Sequence, residues 1–337
     1  MSLRKLSSLM MLAAFVFVAA ACSKDDETET KPSLSGLYFN CPSFVSPGEA
    51  VRFVPKGLKH PEGGVIGYAW KVTPTMSVSD TMDVDEVYVH WFSDTLQTYT
   101  VNCSAFAEGY YGDTYSKDVT VVQGGLNKSI TGTDIWANDP KVVVDGVSYY
   151  YQRIGNLDWF RNNLAVTTCG TAYANTEIMS DVFGRYYNYN EAMTACPEGW
   201  RLPTEEDWMS LAEEVGSPVS QKYVTFEDVA SKLLANASFN GKPMQEYWPA
   251  VGDITNSSKI AMLPVGYANL GNVDNDGNYP GASFDGVLEY SVFWTADKEN
   301  DEMAYYRYII SGLPDMLVGH GDINTFGASV RCVRDAQ

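Results

Sequence analysis

Short runs of alternating apolar and polar residues, separated by turn residues, recur along the chain and constrain its fold most strongly. Long stretches with helical periodicity are few, whereas Gly, Asn, Asp and Tyr are plentiful. Chains with this pattern form β-rich domains with many loops. The length of 337 residues fits two domains better than one. We therefore expect a mainly β protein with two folded units.

The first folded unit is predicted over residues 33–124. Roughly seven short strand-like runs in a segment of this length are typical of an immunoglobulin-like β-sandwich. Residues 46–51 (SPGEAV), Trp70 and residues 97–101 (QTYTV) resemble the PKD and bacterial Ig-like family. The resemblance implies that Trp70 fills the core and that the module acts as a spacer below a distal domain.

The first 21 residues are predicted to be a signal peptide. Arg4 and Lys5 precede the apolar residues 9–21, a run too short to span a bilayer comfortably. Cys22 follows three alanines directly, which resembles a bacterial lipoprotein processing site. The resemblance implies that Cys22 is lipidated, with palmitate among the acyl chains, and becomes the new N-terminus. The alternative is an ordinary secretory signal cleaved near Ala21.

Residues 22–32 are polar and acidic and are predicted to form a tether. The segment resembles the export signal of surface-displayed lipoproteins in Bacteroidetes, and a plain solvated spacer is the alternative. The resemblance implies a protein anchored by lipid in the outer membrane and facing the cell exterior.

The formal charge of −19 limits the possible partners. Nucleic-acid binding requires a surplus of Lys and Arg on one face, and binding to anionic lipid requires a basic patch. We therefore expect no nucleic-acid partner, and membrane contact through the lipid anchor only.

The second folded unit is predicted over residues 140–337, after a linker at 125–139. Asp145-Gly146 between two alternating runs indicates a β-hairpin. Thr204 and Asp207 have capping-box spacing at the start of one helix, and a second helix is predicted from Thr225 through Leu234. Helices followed by looped strands favour an α+β domain.

Seven blocks of this region resemble, in order, the Fibrobacter succinogenes major paralogous domain. The blocks are residues 147–159, 184–189, 195–208, 263–267, 293–296, 305–308 and 329–333. That family is similar to C-type-lectin-like and formylglycine-generating-enzyme-like folds and occurs in secreted and surface proteins. The resemblance implies a C-type-lectin-like α+β domain.

Aromatic and basic residues in these blocks are expected to be structural. The tryptophans predicted to lie in the core are Trp200, Trp208 and Trp294. The arginines predicted to pair with internal acids are Arg201, Arg307 and Arg331.

The six cysteines suit an exported protein with disulfides. Cys41 and Cys103 lie in the same predicted unit and are expected to pair. Cys196 and Cys332 lie in two family blocks, and the resemblance implies a disulfide that ties the helical region to the last strand. Cys169 is then left over, and a pairing of Cys169 with Cys196 is the alternative.

No catalytic constellation is evident. The three histidines, His60, His90 and His320, have no metal-ligand spacing, and nucleotide-binding or nucleophile-elbow motifs are absent. Enzymes of the formylglycine-generating type need reactive cysteines near the C-terminus, where Cys332 stands alone and is expected in a disulfide. We therefore expect no catalysis and no cofactor.

One loop offers weak ligands for calcium, namely Asp274, Asp276 and Asn278. Oxygen ligands suit this cation, but Gly277 comes too early for an EF-hand, so a polar turn is the favoured interpretation. Nearby aromatic residues suit recognition of sugars or proteins. The candidate ligand-binding residues are Tyr247, Trp248, Tyr279, Phe284 and Tyr290.

Together these features predict a surface-anchored lipoprotein with a non-catalytic binding or adhesion role. An Ig-like spacer would present a lectin-like domain to protein or glycan ligands. The alternatives are a glycan-capture lipoprotein for polysaccharide uptake, an enzyme of the formylglycine-generating type, and a structural component of a surface assembly.

Overall fold

The computed structural model describes residues 31–74, 77–78, 88–243 and 253–337. The structure is mainly β, as the alternating runs predict. Several predicted features lie outside the described residues: the signal peptide at 1–21, Cys22 with most of the tether, Tyr247 and Trp248.

The N-terminal region consists of two sheets. Its strands are β1 (Phe44–Val45), β2 (Ala50–Phe53), β3 (Gly67–Thr73), β4 (Ser77–Val78), β5 (Tyr88–Trp91), β6 (Thr98–Phe106) and β7 (Asp113–Val121). One sheet has the order β1-β7-β6-β3-β4, and the other pairs β2 with β5. Strand β6 pairs antiparallel with both β3 and β7, while β1 runs parallel to β7.

Trp70 joins the two sheets through their shared core. The side chain is fully buried on β3, in the five-stranded sheet. Its ring stacks on Tyr88 of β5, with centroids 5.5 Å apart, and lies 5.7 Å from Phe53 of β2. The predicted core position of Trp70 is confirmed.

The predicted disulfide between Cys41 and Cys103 is wrong, because both cysteines are free thiols. Cys103 lies on β6, whereas the segment after Cys41 runs beside β7, where the Thr120 N–H donates to the Ser43 carbonyl. Strand β7 separates that segment from β6. Two strand spacings amount to about 10 Å, beyond the Cα separation of roughly 7 Å that a disulfide tolerates.

The described residues of the C-terminal region form five small sheets. Its strands are β8 (Ile130–Thr131), β9 (Lys141–Val144), β10 (Val147–Ile154), β11 (Leu157–Phe160), β12 (Thr171–Ala172), β13 (Arg185–Tyr186), β14 (Ser238–Phe239), β15 (Lys242–Pro243), β16 (Tyr267–Asn269), β17 (Ser283–Asp285), β18 (Tyr290–Lys298), β19 (Met303–Ile310), β20 (Leu317–Asp322), β21 (Phe326–Gly327) and β22 (Val333–Asp335). The sheet orders are β22-β11-β10-β9, β12-β13, β15-β14-β8, β17-β16-β21 and β18-β19-β20.

Among the residues that the structure describes, four short helices accompany these sheets: α1 (Ser180–Phe183), α2 (Tyr189–Ala195), α3 (Glu205–Glu214) and α4 (Ala230–Leu233). Helix α3 begins with the predicted capping box, in which Thr204 and Asp207 exchange hydrogen bonds. Two single 3-10 turns span Tyr173–Asn175 and Glu177–Met179. No helix within the described ranges is both long and apolar enough to cross a lipid bilayer.

The second predicted helix begins later than expected. Asp228 has a φ of 57°, in the left-handed region, and its N–H donates to the Asp315 carboxylate at 2.9 Å. This tertiary contact holds the chain outside helical geometry, so α4 is limited to Ala230–Leu233.

Two other predictions are confirmed, one local and one long-range. Strands β9 and β10 form the hairpin around Asp145-Gly146, whose φ values of 49° and 82° suit a tight two-residue turn. Cys196, at the end of α2, forms a disulfide with Cys332, just before β22.

The two regions are in direct contact. Phe44 of β1 lies 5.6 Å from Tyr173, and the Asn240 side-chain amide donates to the Val121 carbonyl at 2.9 Å. Val122 is fully buried in a cluster of C-terminal apolar residues. Part of the predicted linker, Ile130–Thr131, is strand β8.

Candidate functional site

Tyr279 is one of the predicted ligand-binding residues, but its side chain serves the fold. The residue is 4% exposed, and its hydroxyl donates to Glu191 at 2.9 Å. The same hydroxyl accepts a hydrogen bond from the Asn188 amide at 2.8 Å. Burial and the hydrogen bond to Glu191 raise the pKa of Tyr279. Because Asn188 and Glu191 also form the capping box of α2, Tyr279 fixes the start of that helix.

Phe284 is half-buried and packs against the apolar cluster that contains Tyr279. Its ring contacts those of Tyr173 and Tyr186 edge-on, with centroids 5.3 and 5.2 Å apart. Tyr290 lies in a different cluster. The structure therefore does not gather the three described candidates into one site.

The loop predicted to offer weak calcium ligands forms a turn, in which one of its own side chains accepts backbone N–H groups. One carboxylate oxygen of Asp274 accepts the N–H groups of Asp276 and Asn278, at 3.0 and 2.8 Å. Such bonds to the backbone are typical of Asx turns. Across the described parts of the chain, no group of three or more His, Cys, Asp or Glu residues is arranged to hold a metal ion.

Five half-buried aromatic rings lie side by side at another position. We name this surface the tyrosine patch, consisting of Tyr267, Tyr290, Tyr306, Tyr308 and Phe326. Phe326 stacks on Tyr306 and Tyr267, with centroids 4.7 and 5.6 Å apart. Tyr290 lies edge-on against Tyr267 at 5.7 Å and stacks on Tyr308 at 6.3 Å. The rings come from four strands: β16, β18, β19 and β21.

Two glycines of β20 seat these rings on the sheet. A Cβ atom at Gly319 would lie 2.5 Å from the Tyr306 ring, and one at Gly321 would lie 2.7 Å from the Phe326 ring. Because side chains alternate along a strand, His320 between them belongs to the opposite face. In this Gly-His-Gly sequence the two glycines therefore lie on the face with the close ring contacts, and the imidazole lies on the other face.

The tyrosine hydroxyls of the patch are not completely buried. Within the described residues, the hydroxyls of Tyr267, Tyr290, Tyr306 and Tyr308 make no hydrogen bond, yet none is a buried unpaired atom. Burial raises the pKa of Tyr306, and the neighbouring Tyr308, Tyr267 and Tyr290 raise it further. The hydroxyls are thus close enough to interact, and they are free to bond a ligand.

Trp294 of β18 supports the patch from below. The side chain is fully buried, as predicted, and its ring lies 5.4 Å from Phe326 and 6.1 Å from Tyr306. Its indole N–H donates to the Tyr187 carbonyl at 2.8 Å. Trp200 and Trp208 are also buried, as predicted. A packed support restricts ring motion, which lowers the entropy lost when a ligand binds.

The opposite face of the β18-β19-β20 sheet covers a buried ion pair. Arg307 and Glu205 are both fully buried and form a two-pronged salt bridge, with Arg307 Nε 3.2 Å from Glu205 Oε2. Arg201 pairs with Asp207, with Nη2 3.1 Å from Oδ1. The predicted internal pairing is therefore confirmed for these two arginines.

The predicted acidic partner of Arg331 is wrong. The buried guanidinium donates to Asn163 Oδ1 at 2.7 Å and to the carbonyls of Phe160, Ile260 and Ala261. Burial lowers the pKa of Arg331 to about 9. Neutral oxygens from two chain segments, residues 160–163 and 260–261, satisfy this cation, so Arg331 joins the end of β11 to a loop that lacks regular structure.

A family comparison covers most of this region. The model of the Fibrobacter succinogenes major domain matches residues 153–334, more than half of the chain. The chain belongs to this family. No curated protein matches the chain. The matched range includes all five rings of the tyrosine patch and the buried Arg307 and Arg331.

One solved structure with a likeness to the chain is that of the Yersinia pseudotuberculosis adhesin InvE. The likeness covers 90% of this chain and 70% of that chain, at 9% identity and a TM-score of 0.25. So low a score does not establish a shared fold.

Sequence reasoning found only one member of the patch, Tyr290. Tyr267, Tyr306 and Tyr308 were recognised only as parts of family blocks, and Phe326 was not singled out. Alternation along β19 and the Gly-His-Gly sequence of β20 are local signals for a two-faced sheet. The strand register that brings the rings together is a tertiary property.

Proposed function

We propose that this protein is a non-catalytic surface protein that binds a macromolecular ligand, protein or glycan, through the tyrosine patch. The observation that carries the proposal is the group of four tyrosine hydroxyls that are not completely buried and make no hydrogen bond within the described residues, on a packed aromatic support. Tyrosine supplies a large contact area and a polar tip while only two torsions are immobilised, which favours recognition surfaces.

The form of the patch favours contact through edges and hydroxyls. Stacking on Phe326 occupies one face each of Tyr306 and Tyr267, and Gly319 lies close against Tyr306. The polar tips therefore carry much of the available surface. A ligand with both apolar surface and hydrogen-bonding groups fits this arrangement, and both polypeptides and oligosaccharides meet that description.

The rest of the chain is proposed to place this patch outside the cell. Lipid on Cys22 would anchor the protein in the outer membrane, and the acidic tether and an Ig-like spacer would hold a C-type-lectin-like domain outward. The acidic composition supports a role without nucleic acid. Palmitate labelling lost in Cys22→Ser, together with protease sensitivity on intact cells, would test anchoring and orientation.

The absence of catalysis is part of the proposal. The disulfide between Cys196 and Cys332 supports it, because a cysteine held in a disulfide is not available as a thiolate. A turnover that Cys332→Ser abolishes without unfolding the protein would contradict this part and favour the formylglycine-generating alternative.

The binding test compares the patch with exposed tyrosines elsewhere. We propose screening the chain against a glycan array and a panel of extracellular-matrix proteins. The patch variant carries Tyr→Phe at Tyr267, Tyr306 and Tyr308, and the control carries Tyr→Phe at Tyr38 and Tyr111, both exposed. Loss of three hydrogen bonds should weaken binding at least about tenfold, and the control should bind normally.

Two results would contradict the proposed function. One is silence on both panels, which would favour a structural component of a surface assembly. The other is equal binding by the patch variant and the wild type. Binding confined to one panel would decide between a protein ligand and a glycan ligand.

A further inference from the structure

A second aromatic surface lies along strand β20 and includes residues from both faces of the β18-β19-β20 sheet. It is a shallow groove of about 500 Å³ lined by Tyr223, Tyr305, Tyr306, Val318, Gly319 and His320. Tyr223 and Tyr305 stack with their centroids 3.9 Å apart and an interplanar angle of 15°. Both rings are only half-buried. The stacked pair, which we name the groove pair, therefore presents aromatic surface to solvent.

The groove pair is held in place by its surroundings. Tyr223 has a φ of 59°, a conformation that bulky side chains rarely adopt. Its N–H donates to Oε1 of the buried Glu205 at 3.0 Å, and its hydroxyl donates to Asp297 at 3.2 Å. Because Glu205 is itself fixed by Arg307, the internal ion pair positions one wall of the groove.

The rim of the groove has an excess of negative charge. Three carboxylates lie around the tyrosines, those of Glu206, Asp297 and Glu299. Lys222 is the cation beside them and pairs with Glu206 and, at 3.8 Å, with Asp297. Glu299 lies 3.0 Å from Nδ1 of His320, and both side chains are partly exposed. These three carboxylates and Lys222 together carry a net charge of two negative.

We propose that this groove is a second binding site, which takes a cationic side chain, lysine or arginine, of a polypeptide ligand. A cation beside a tyrosine ring is attracted by the electron-rich face of the ring, and an adjacent carboxylate adds a charge-assisted hydrogen bond. Glu299 and Tyr305 supply these two elements, with His320 beside Glu299 at the rim. Tyr306 belongs to both the groove and the tyrosine patch, whereas Tyr223, Tyr305 and His320 belong to the groove alone.

The histidines make the test direct, because the chain has only three. We propose titrating residues 23–337, with ¹³C-labelled histidine, with argininamide and following the imidazole C–H signals. His320→Asn assigns the groove signal, and His60, in the N-terminal region, is an internal reference. Citrullinamide has nearly the same shape as argininamide without the charge, and methyl β-glucoside represents sugars.

Argininamide should shift the His320 signal saturably and leave His60 unchanged, whereas citrullinamide should shift neither. Glu299→Gln keeps an acceptor for the imidazole but should weaken binding about threefold, the scale of one partly exposed charge contact. Tyr305→Leu should abolish saturation. Glu108→Gln, the same charge change at an exposed site in the N-terminal region, should bind like the wild type.

Equal shifts with argininamide and citrullinamide would overturn the proposal, as would normal binding by Tyr305→Leu, since simple ion pairing would then suffice. A saturable shift with methyl β-glucoside alone would also overturn it and would assign the groove to a sugar.

Discussion

The N-terminal and C-terminal regions bury different kinds of groups. Around Trp70 the N-terminal core is apolar and aromatic. Among the described residues of this region, His90 is the one buried side chain of the polar or charged type. The C-terminal region buries Arg161, Arg185, Arg307 and Arg331 together with several carboxylates and amides. One region is held mainly by hydrophobic packing, and the other adds an internal polar framework.

The difference follows from how much regular structure each region has. Long strands such as β6 and β7 satisfy their own backbone groups and leave alternate side chains for the core. The C-terminal region also has long strands, β10, β18 and β19, but most of its strands have two to four residues and are joined by loops, whose carbonyls need donors. Arg331 supplies several donors at one point, which an apolar residue could not do. As a consequence, the region contains a buried cation, and substitution of Arg331 is poorly tolerated.

The largest expected effect comes from the disulfide of the C-terminal region. Cys196 and Cys332 are 136 residues apart, so the bond restricts a long loop in the unfolded chain. Replacing both by Ser should lower the free energy of unfolding by about 5 kcal/mol. Cys169→Ser, at a half-buried free thiol, is the control. Urea denaturation measures the free energy of unfolding of both variants. An equal loss in the two would contradict the expectation that the disulfide stabilises the fold by restricting the long loop of the unfolded chain.

The buried ion pair should give the next largest effect. Glu205→Gln leaves the Arg307 cation buried without its counter-charge and should cost about 3–5 kcal/mol. Glu206→Gln removes a carboxylate from the adjacent, exposed pair with Lys222 and should cost less than about 1 kcal/mol. Urea denaturation at low and high salt compares the two. If the variants lose similar stability, the C-terminal region does not depend on internal charge pairing.

The N-terminal region should respond to lost packing instead. Trp70→Phe removes buried ring atoms between the two sheets and should cost about 2 kcal/mol, with little dependence on salt. Trp91 is 66% exposed on β5, so Trp91→Phe should change stability by less than about 0.5 kcal/mol. A strong salt dependence for Trp70→Phe would mean that the N-terminal core is not held by apolar contacts.

What the sequence predicts well is local. The capping box at Thr204, the hairpin at Asp145-Gly146 and the buried tryptophans depend on a few neighbouring residues or on apolar periodicity. The disulfide between Cys196 and Cys332 was predicted because family blocks carry long-range information.

What the sequence did not predict depends on strand order and tertiary contacts. The pairing of Cys41 with Cys103 failed because β7 lies between their segments. The start of α4 shifted because Asp228 bonds to Asp315, which is distant in sequence. The tyrosine patch combines four strands, and a shift of one residue in any register would turn its ring to the other face.

Alkaline pH should give the smallest effect, and it tests one polar contact of the C-terminal region. Burial and the neighbouring Asp297 raise the pKa of Tyr223 from 10.0 to about 12. A raised pKa in the folded state means that the stabilisation is complete below pH 10 and is lost as the pH rises from 10 towards 12. Tyr223→Phe should therefore be slightly less stable at pH 8 but lose less stability between pH 10 and 11.5. Urea midpoints across this range measure the slopes, with Tyr38→Phe as the control. Parallel slopes for wild type and Tyr223→Phe would mean that the phenol contact with Asp297 adds nothing to the polar framework.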